Sequence, residues 1–185
     1  MKYLKLILLF NLLLSFSANA LLEVNILKSK EAAFPIVIAP FELISDSKEN
    51  IDIAKIIRDN LNRSGQFSAL STDALVTNQI DFNFWKEHKK DAVVFGKVEQ
   101  VSPKVYNIYI YIYDVFSEKS LYQKKITVSN TGFRRMAHFL SDKIYYVLLG
   151  QKGSFNTRLS YVTVTENNSG GRTYRLQISD SDGEN

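Results

Sequence analysis

From residue 34 onward, the pattern of hydrophobic and polar positions predicts strands that alternate with helices. An unbroken apolar run at residues 34–41 is typical of a short strand buried on both faces, and Pro40 predicts that pairing stops near its end. After a polar loop, apolar residues recur every four positions over 53–61, which predicts a helix ended by Gly65. A short strand at 67–70 follows.

Three further strands are predicted in a row, at residues 91–98, 105–116 and 121–129, joined by tight turns. The middle strand alternates isoleucine with tyrosine, so the isoleucines are expected to face the helices. The tyrosines are expected to pack their rings against one another with their hydroxyls toward water. This row of tyrosines fits a half-exposed sheet face and also fits an aromatic binding platform; it consists of Tyr109, Tyr111 and Tyr113.

Two more helices are predicted from apolar spacing. The weaker one covers residues 82–89 and is expected to direct Phe84 and Trp85 inward. The clearer one carries an apolar stripe over 133–148 and stops at Gly150.

Beyond the last helix the composition changes to that of a β-hairpin, with strands at 158–165 and 174–179 around a turn at 167–171. An isolated hairpin is marginally stable in water, so this one is expected to lack its strand partners. The pattern as a whole predicts an α/β (α+β) fold, in which a mixed sheet of about five strands is packed by two to three helices and followed by an orphan hairpin.

Residues 1–20 show the three-part pattern of a secretory signal, with a short basic start, an apolar stretch and a small-x-small site. The pattern predicts cleavage between Ala20 and Leu21 and export of the mature chain, which fits a bacterial periplasm. A transmembrane anchor is the alternative reading, but the apolar stretch is well short of the roughly 20 residues that a span requires.

Charge and composition exclude some functions. The 185 residues carry 23 Lys and Arg against 19 Asp and Glu, a net charge of +4. Loss of Lys2 and Lys5 with the signal leaves 21 against 19, or +2, so nucleic acid is not expected as a partner. The chain contains no cysteine, which excludes disulfides and thiolate metal ligands.

Candidate catalytic chemistry is sparse. Residues 180–183, Asp-Ser-Asp-Gly, begin like a calcium loop but lack the later ligands, and they predict a turn instead. His88 is predicted at an exposed helix end and His138 on the polar side of the last helix, where Arg134 and Arg135 are expected to be solvated. We therefore expect no catalytic residue, no metal site, no cofactor and no enzymatic activity.

A series of segments, in order along the chain, resembles the amino-terminal half of the TolB family of the Tol–Pal system. The stretch Phe-x-Thr-Arg at residues 155–158 is the most specific of them. The segments are residues 23–26, 35–41, 59–67, 91–98, 150–162 and 176–185.

The resemblance implies a non-enzymatic periplasmic binding protein that serves outer-membrane integrity and cell division. Proteins of this family pair an N-terminal α/β domain with a six-bladed propeller that binds Pal, and their extreme N-terminal segment binds TolA. The segment that the resemblance assigns to TolA consists of Leu22, Glu23, Val24, Asn25, Ile26 and Leu27. Its alternating apolar residues suit a strand that adds to a partner's sheet and equally a strand that pairs with its own domain.

The resemblance also divides the chain. It implies a signal peptide at 1–20, an N-terminal extension at 21–33 as the candidate partner-binding strand, an α/β domain at 34–150, and a linker with an incomplete first propeller blade at 151–185. TolA is the expected partner, and Pal is expected only with a propeller present. The mature protein is expected to be peripheral to membranes rather than inserted.

Two other interpretations stay open. One is a different envelope-assembly protein with a similar α/β domain, of the curli-secretion or penicillin-binding-protein-activator type, which begins with a similar Ile-Ala-Pro-Phe strand. The other is a small-ligand or glycan-binding module that uses the tyrosine face.

Overall fold

The computed structural model of the chain describes residues 33–44, 52–72, 76, 79–167 and 169–184. All of them lie within one compact unit, residues 32–185. The unit contains a five-stranded sheet with helices on both faces, and a separate two-stranded hairpin.

The sheet has the strand order β2-β1-β3-β4-β5 and is mixed, as predicted. β1 runs parallel to both of its neighbours, whereas β3, β4 and β5 are antiparallel to one another. The parallel pairs need crossover connections, which the helices between these strands supply. The strands are β1 (Phe34–Leu43), β2 (Phe67–Ser71), β3 (Ala92–Ser102), β4 (Val105–Asp114) and β5 (Ser120–Ser129).

The three helices are α1 (Ile53–Arg63), α2 (Phe82–Glu87) and α3 (Phe133–Leu149). The carboxylate of Asp52 begins α1 by accepting a hydrogen bond from the backbone N–H of Lys55 at 2.8 Å. Gly150 ends α3 in the left-handed conformation, with φ of 70°, as the sequence predicts.

One face of the sheet carries the main core. Ile108, Ile110 and Ile112 of β4 are fully buried there against α1 and α3, which confirms the prediction that the isoleucines face the helices. The opposite face is covered by α2 and the chain around it, where Trp85 packs near Phe95.

Two local predictions are wrong. β1 does not stop at Pro40, because an irregularity between Ile38 and Phe41 lets its pairing with β3 resume and continue to Leu43. Only Trp85 of α2 points inward, and the side chain of Phe84 remains 43% exposed. Phe84 and Trp85 are adjacent, so their side chains project about 100° apart around the helix and do not share its buried side.

The hairpin consists of β6 (Arg158–Glu166) and β7 (Arg172–Asp180), paired along their whole length. Its apolar side chains are exposed, and among the described residues no third strand joins it. None of the helices in the described ranges is long and apolar enough to cross a membrane.

Candidate functional site

The residues that the sequence assigns to partner binding and signal cleavage lie outside the described ranges. They are Ala20, Leu21, Leu22, Glu23, Val24, Asn25, Ile26 and Leu27. The assignment of domain boundaries in this part of the chain likewise stays a prediction.

The tyrosines of β4 are engaged with neighbouring groups rather than with one another. The rings of Tyr111 and Tyr113 stack on Phe95 at centroid distances of 5.0 and 6.0 Å. The hydroxyl of Tyr109 donates a hydrogen bond to the carboxylate of Glu99 at 2.9 Å, and Lys125 lies over its ring. The expected ring-on-ring packing is therefore wrong, because Phe95 on the adjacent strand supplies the larger apolar surface.

A polar cluster joins α3 to the end of the hairpin. The guanidinium of Arg134 donates a hydrogen bond to the carboxylate of Asp182 and lies 3.5 Å from that of Asp180. Arg134 is thus ion-paired and half-buried, contrary to the expectation of a solvated arginine. Gly183 closes the predicted turn after β7, with its N–H donating to the carbonyl of Asp180.

His138 lies beneath this ion pair and is buried, so its predicted place on the polar side of α3 is wrong. Its Nδ1 is 2.9 Å from the side-chain nitrogen of Asn60 on α1, and the amide donates this hydrogen bond because Arg63 donates to the amide oxygen. The proton of the neutral ring is then on Nε2, which is 3.5 Å from the carboxylate of Asp182.

The electrostatics of the cluster keep His138 neutral and Asp182 charged. Burial lowers the pKa of His138, and this effect exceeds the opposing influence of the carboxylates of Asp182 and Asp180. Burial is the largest influence on Asp182 and alone would raise its pKa, but the hydrogen bonds from Arg134 and from the backbone of Glu184, together with the positive charge of Arg134, outweigh it and lower that pKa. The cluster is consequently arranged for one charge state near neutral pH.

The cluster holds aspartate, histidine and serine together without the geometry of a hydrolase. Ser141 is fully buried, accepts a hydrogen bond from Asn60 at 2.9 Å and donates to the carbonyl of Ala137 at 2.8 Å. Its hydroxyl faces an amide rather than His138, and substrate has no access to it. Across the described part of the chain, no group of three or more potential ligands is placed to hold a metal ion.

A second set of contacts fixes the linker between α3 and β6. The carboxylate of Asp142 accepts hydrogen bonds from the backbone N–H groups of Phe155 at 2.7 Å and Asn156 at 3.1 Å. The ring of Phe155 is buried against Tyr145, and Ser181 after β7 donates to its carbonyl at 2.6 Å. The start and the end of the hairpin are therefore both bound to α3, and we call this region the α3–hairpin junction.

The sequence singled out Arg134, His138 and residues 180–183 but did not bring them together, and it gave no role to Asn60 or Asp142. One signal was present: Asn60 lies on the apolar stripe of α1, three residues after Ile57 and one before Leu61. A polar residue at a buried helical position needs a partner from another element. The identity of that partner, 78 residues away in His138, follows only from the packing of α1 on α3.

Comparisons with known proteins agree with this fold. The family model for the TolB amino-terminal domain matches residues 22–121. The Tol-Pal system protein TolB of Ruthia magnifica subsp. Calyptogena magnifica is 54% identical over 168 residues, which cover 91% of this chain and 40% of that protein. The protein of the same name from Vesicomyosocius okutanii subsp. Calyptogena okutanii is 48% identical over 166 residues, 90% of this chain and 39% of that protein.

A solved structure gives the same result. The crystal structure of TolB from Acinetobacter baumannii matches with a TM-score of 0.69 and 30% identity, over 83% of this chain and 37% of that one. The chain thus spans about two fifths of the length of the curated relatives that it matches. Since the family model covers more than half of the sequence, the chain belongs to the TolB family and carries its amino-terminal domain.

Proposed function

We propose that this chain is a non-enzymatic periplasmic binding component of the Tol–Pal system, which links TolA to outer-membrane functions in envelope integrity and cell division. The observation that carries the proposal is its similarity, over about nine tenths of its length, to proteins named Tol-Pal system protein TolB. We assign TolA binding to residues 22–27, directly before the domain that begins with β1.

The sequence of that segment supports binding by strand addition. Val24 and Ile26 alternate with Glu23 and Asn25, so a strand formed here presents one apolar and one polar face. Such a strand gains main-chain hydrogen bonds from the edge of a partner's sheet, and its apolar face supplies specificity.

The polar chemistry of the described residues supports a binding protein rather than an enzyme. The one cluster that brings together aspartate, histidine and serine is closed to substrate, and its hydrogen bonds join α1, α3 and the hairpin. These bonds stabilise the domain that would present the N-terminal segment.

The test is binding of the chain to the C-terminal domain of TolA, with Pal measured in parallel. The chain is expressed from Met1 in a Gram-negative host and purified from the periplasm, and its mass establishes whether cleavage follows Ala20. We expect it to bind TolA, and we expect a chain that begins at Ser29 to lose that binding. Pal is included because the resemblance assigns Pal binding to a propeller, of which residues 151–185 would supply only the beginning.

A pair of double variants separates the faces of the segment. Val24→Asp with Ile26→Asp is expected to weaken TolA binding by at least about tenfold, since it removes the apolar face. Glu23→Gln with Asn25→Gln is the matched control on the other face and is expected to bind nearly normally. Undiminished TolA binding by the chain beginning at Ser29 would contradict the assignment to residues 22–27. Binding of the intact chain to neither TolA nor Pal would contradict the Tol–Pal role and favour the envelope-assembly alternative.

A further inference from the structure

Two adjoining hollows flank the linker between α3 and β6. The first has a volume of about 230 Å³ and lies between the end of α1 and the linker, with Arg63, Ser64 and Ser181 on its walls. The second has a volume of about 480 Å³ and lies between α3 and the linker, with Phe139 and Tyr146 on its walls. Both have Lys152 and Gly153 of the linker on their walls, and we call the two hollows together the linker groove. The larger hollow alone is within the size range of sites that bind small ligands.

The linker groove is positively charged. Its cations are Arg63, Lys143 and Lys152, and none of the three forms an ion pair with a carboxylate among the described residues. Arg63 donates one hydrogen bond to the side-chain oxygen of Asn60, and Lys143 lies over two tyrosine rings. The single carboxylate in the groove, that of Asp142, accepts backbone hydrogen bonds on both of its oxygens. The three cations therefore outnumber the single carboxylate, and the groove keeps a net positive charge.

Aromatic surface accompanies this charge. Tyr146 is 56% exposed and Phe139 is 38% exposed on the same side of α3. The ammonium of Lys143 is held 5.6 Å from the ring of Tyr146 and 5.7 Å from that of Tyr122. Cation–π contacts of this kind fix the position of the lysine without neutralising it.

The hydroxyl groups of Ser64 and Ser181 favour a peptide over a phosphate group as the ligand of the groove. Ser64 donates its proton to the carbonyl of Leu61, and Ser181 donates its proton to that of Phe155, both at 2.6 Å. Ser64 also accepts a hydrogen bond from the backbone N–H of Gln66 at 3.2 Å, and each of the two oxygens keeps a further lone pair that can only accept a hydrogen bond. A peptide backbone offers N–H donors to such acceptors, whereas a phosphate group offers further acceptors.

We propose that the linker groove binds an extended acidic segment of a partner protein, with carboxylates beside Lys143, Lys152 and Arg63 and an apolar side chain against Phe139 and Tyr146. None of the residues that line the groove belongs to the segment 22–27, so the proposal adds a second candidate protein-binding site to the one assigned to TolA.

The test measures the affinity of a fluorescein-labelled peptide, in which pairs of glutamates alternate with single leucines, by fluorescence anisotropy with the full chain. The groove variant is Lys143→Glu with Lys152→Glu. The matched control is Lys104→Glu with Lys119→Glu, which changes the same charge in two exposed turns at other sites of the sheet. All four lysines lie outside the buried core, so each variant is expected to keep the wild-type circular dichroism spectrum.

We expect the peptide to bind the unmodified chain, more weakly as salt is added, and to bind the groove variant at least about tenfold more weakly, since two attractions become repulsions. The control is expected to bind within about twofold of the unmodified chain. No binding, equal losses in both variants, or equal binding of the analogous lysine–leucine peptide would overturn the proposal. Binding of phosphatidylglycerol vesicles through the same lysines, without binding of the peptide, would overturn it in favour of an anionic membrane surface.

Discussion

Replacement of Asn60 by aspartate is expected to reverse the protonation behaviour of His138. In the native network the amide of Asn60 donates to Nδ1 of the ring at 2.9 Å, which leaves the ring neutral and its pKa lowered chiefly by burial. In Asn60→Asp a carboxylate takes the place of that donor. The ring then donates from Nδ1 to the new carboxylate and from Nε2 toward Asp182, so the charged form becomes the favoured one.

The magnitude follows from the distances. Two unit charges about 4 Å apart attract by about 4 kcal/mol at an effective dielectric constant of about 20. One pKa unit corresponds to about 1.4 kcal/mol, so the attraction alone would raise the pKa of His138 by about three units. Burial of the new carboxylate and of the ring opposes it. We expect the attraction to prevail, so that the pKa of His138 in Asn60→Asp lies above the ordinary value of 6.5.

The assay is a titration of the ring protons of His138 by NMR. Asn83→Asp adds the same charge at an exposed position and should leave the pKa of His138 unchanged. A ring that stays neutral to well below pH 6 in Asn60→Asp would refute the hydrogen bond between Asn60 and Nδ1.

The same substitution reverses the sign of a pH effect on stability. In the native protein the pKa of His138 is lowered on folding, so below pH 6.5 the unfolded chain binds more protons and stability falls as the pH drops. In Asn60→Asp the pKa is raised, so the contribution of His138 is fully present below the unfolded pKa and is lost as the pH rises through the folded one. Urea unfolding at a series of pH values is expected to show this opposite slope between the two proteins.

Other predictions concern packing. Ile110→Ala is expected to cost about 2–5 kcal/mol in urea unfolding because the side chain is fully buried, whereas Leu176→Ala, at a side chain 74% exposed, should change stability by less than about 0.5 kcal/mol. Gly96→Ala should cost about 1–3 kcal/mol, since a methyl group there would lie 2.2 Å from a ring atom of β1; Gly132→Ala, with 3.5 Å of clearance, is the control, and equal effects would contradict the packing. Asp142→Ala should speed tryptic cleavage in the linker, because two backbone N–H groups lose their acceptor, and an unchanged rate would refute this anchoring.

The main strands could be predicted because the burial of each strand determines the residue types within that strand. β1 and β3 are central in the sheet, covered on both faces, and therefore appear as continuous apolar runs. The isoleucine face of β4 followed from the two-residue period of a strand. The predicted end of β1 at Pro40 was wrong because a proline interrupts the pairing only locally. A strand that tolerates a local irregularity can resume its pairing beyond the proline.

The junction could not be predicted because its parts are polar and distant in the chain. His138 follows the buried Ala137 at the margin of the apolar stripe of α3, where residue type alone favours exposure. Its burial is tolerated because Asn60 satisfies one ring nitrogen and the hairpin carboxylates face the other. The spacing of apolar residues in α3 predicts which side of the helix is buried. It does not predict which polar groups of other elements that side contacts.

The junction makes the hairpin and α3 behave as one element. Movement of the end of β7 away from α3 would separate Arg134 from Asp182 and uncover His138, and movement of the linker would strip Asp142 of its two backbone donors. Breaking a half-buried, charge-assisted pair leaves a guanidinium without its partner, which costs more than loss of an exposed ion pair. The two attachments lie about two helical turns apart on α3, at Arg134 and Asp142, so they resist twisting as well as separation. A force or partner that displaces the hairpin would therefore act first on α3, which also forms one wall of the linker groove.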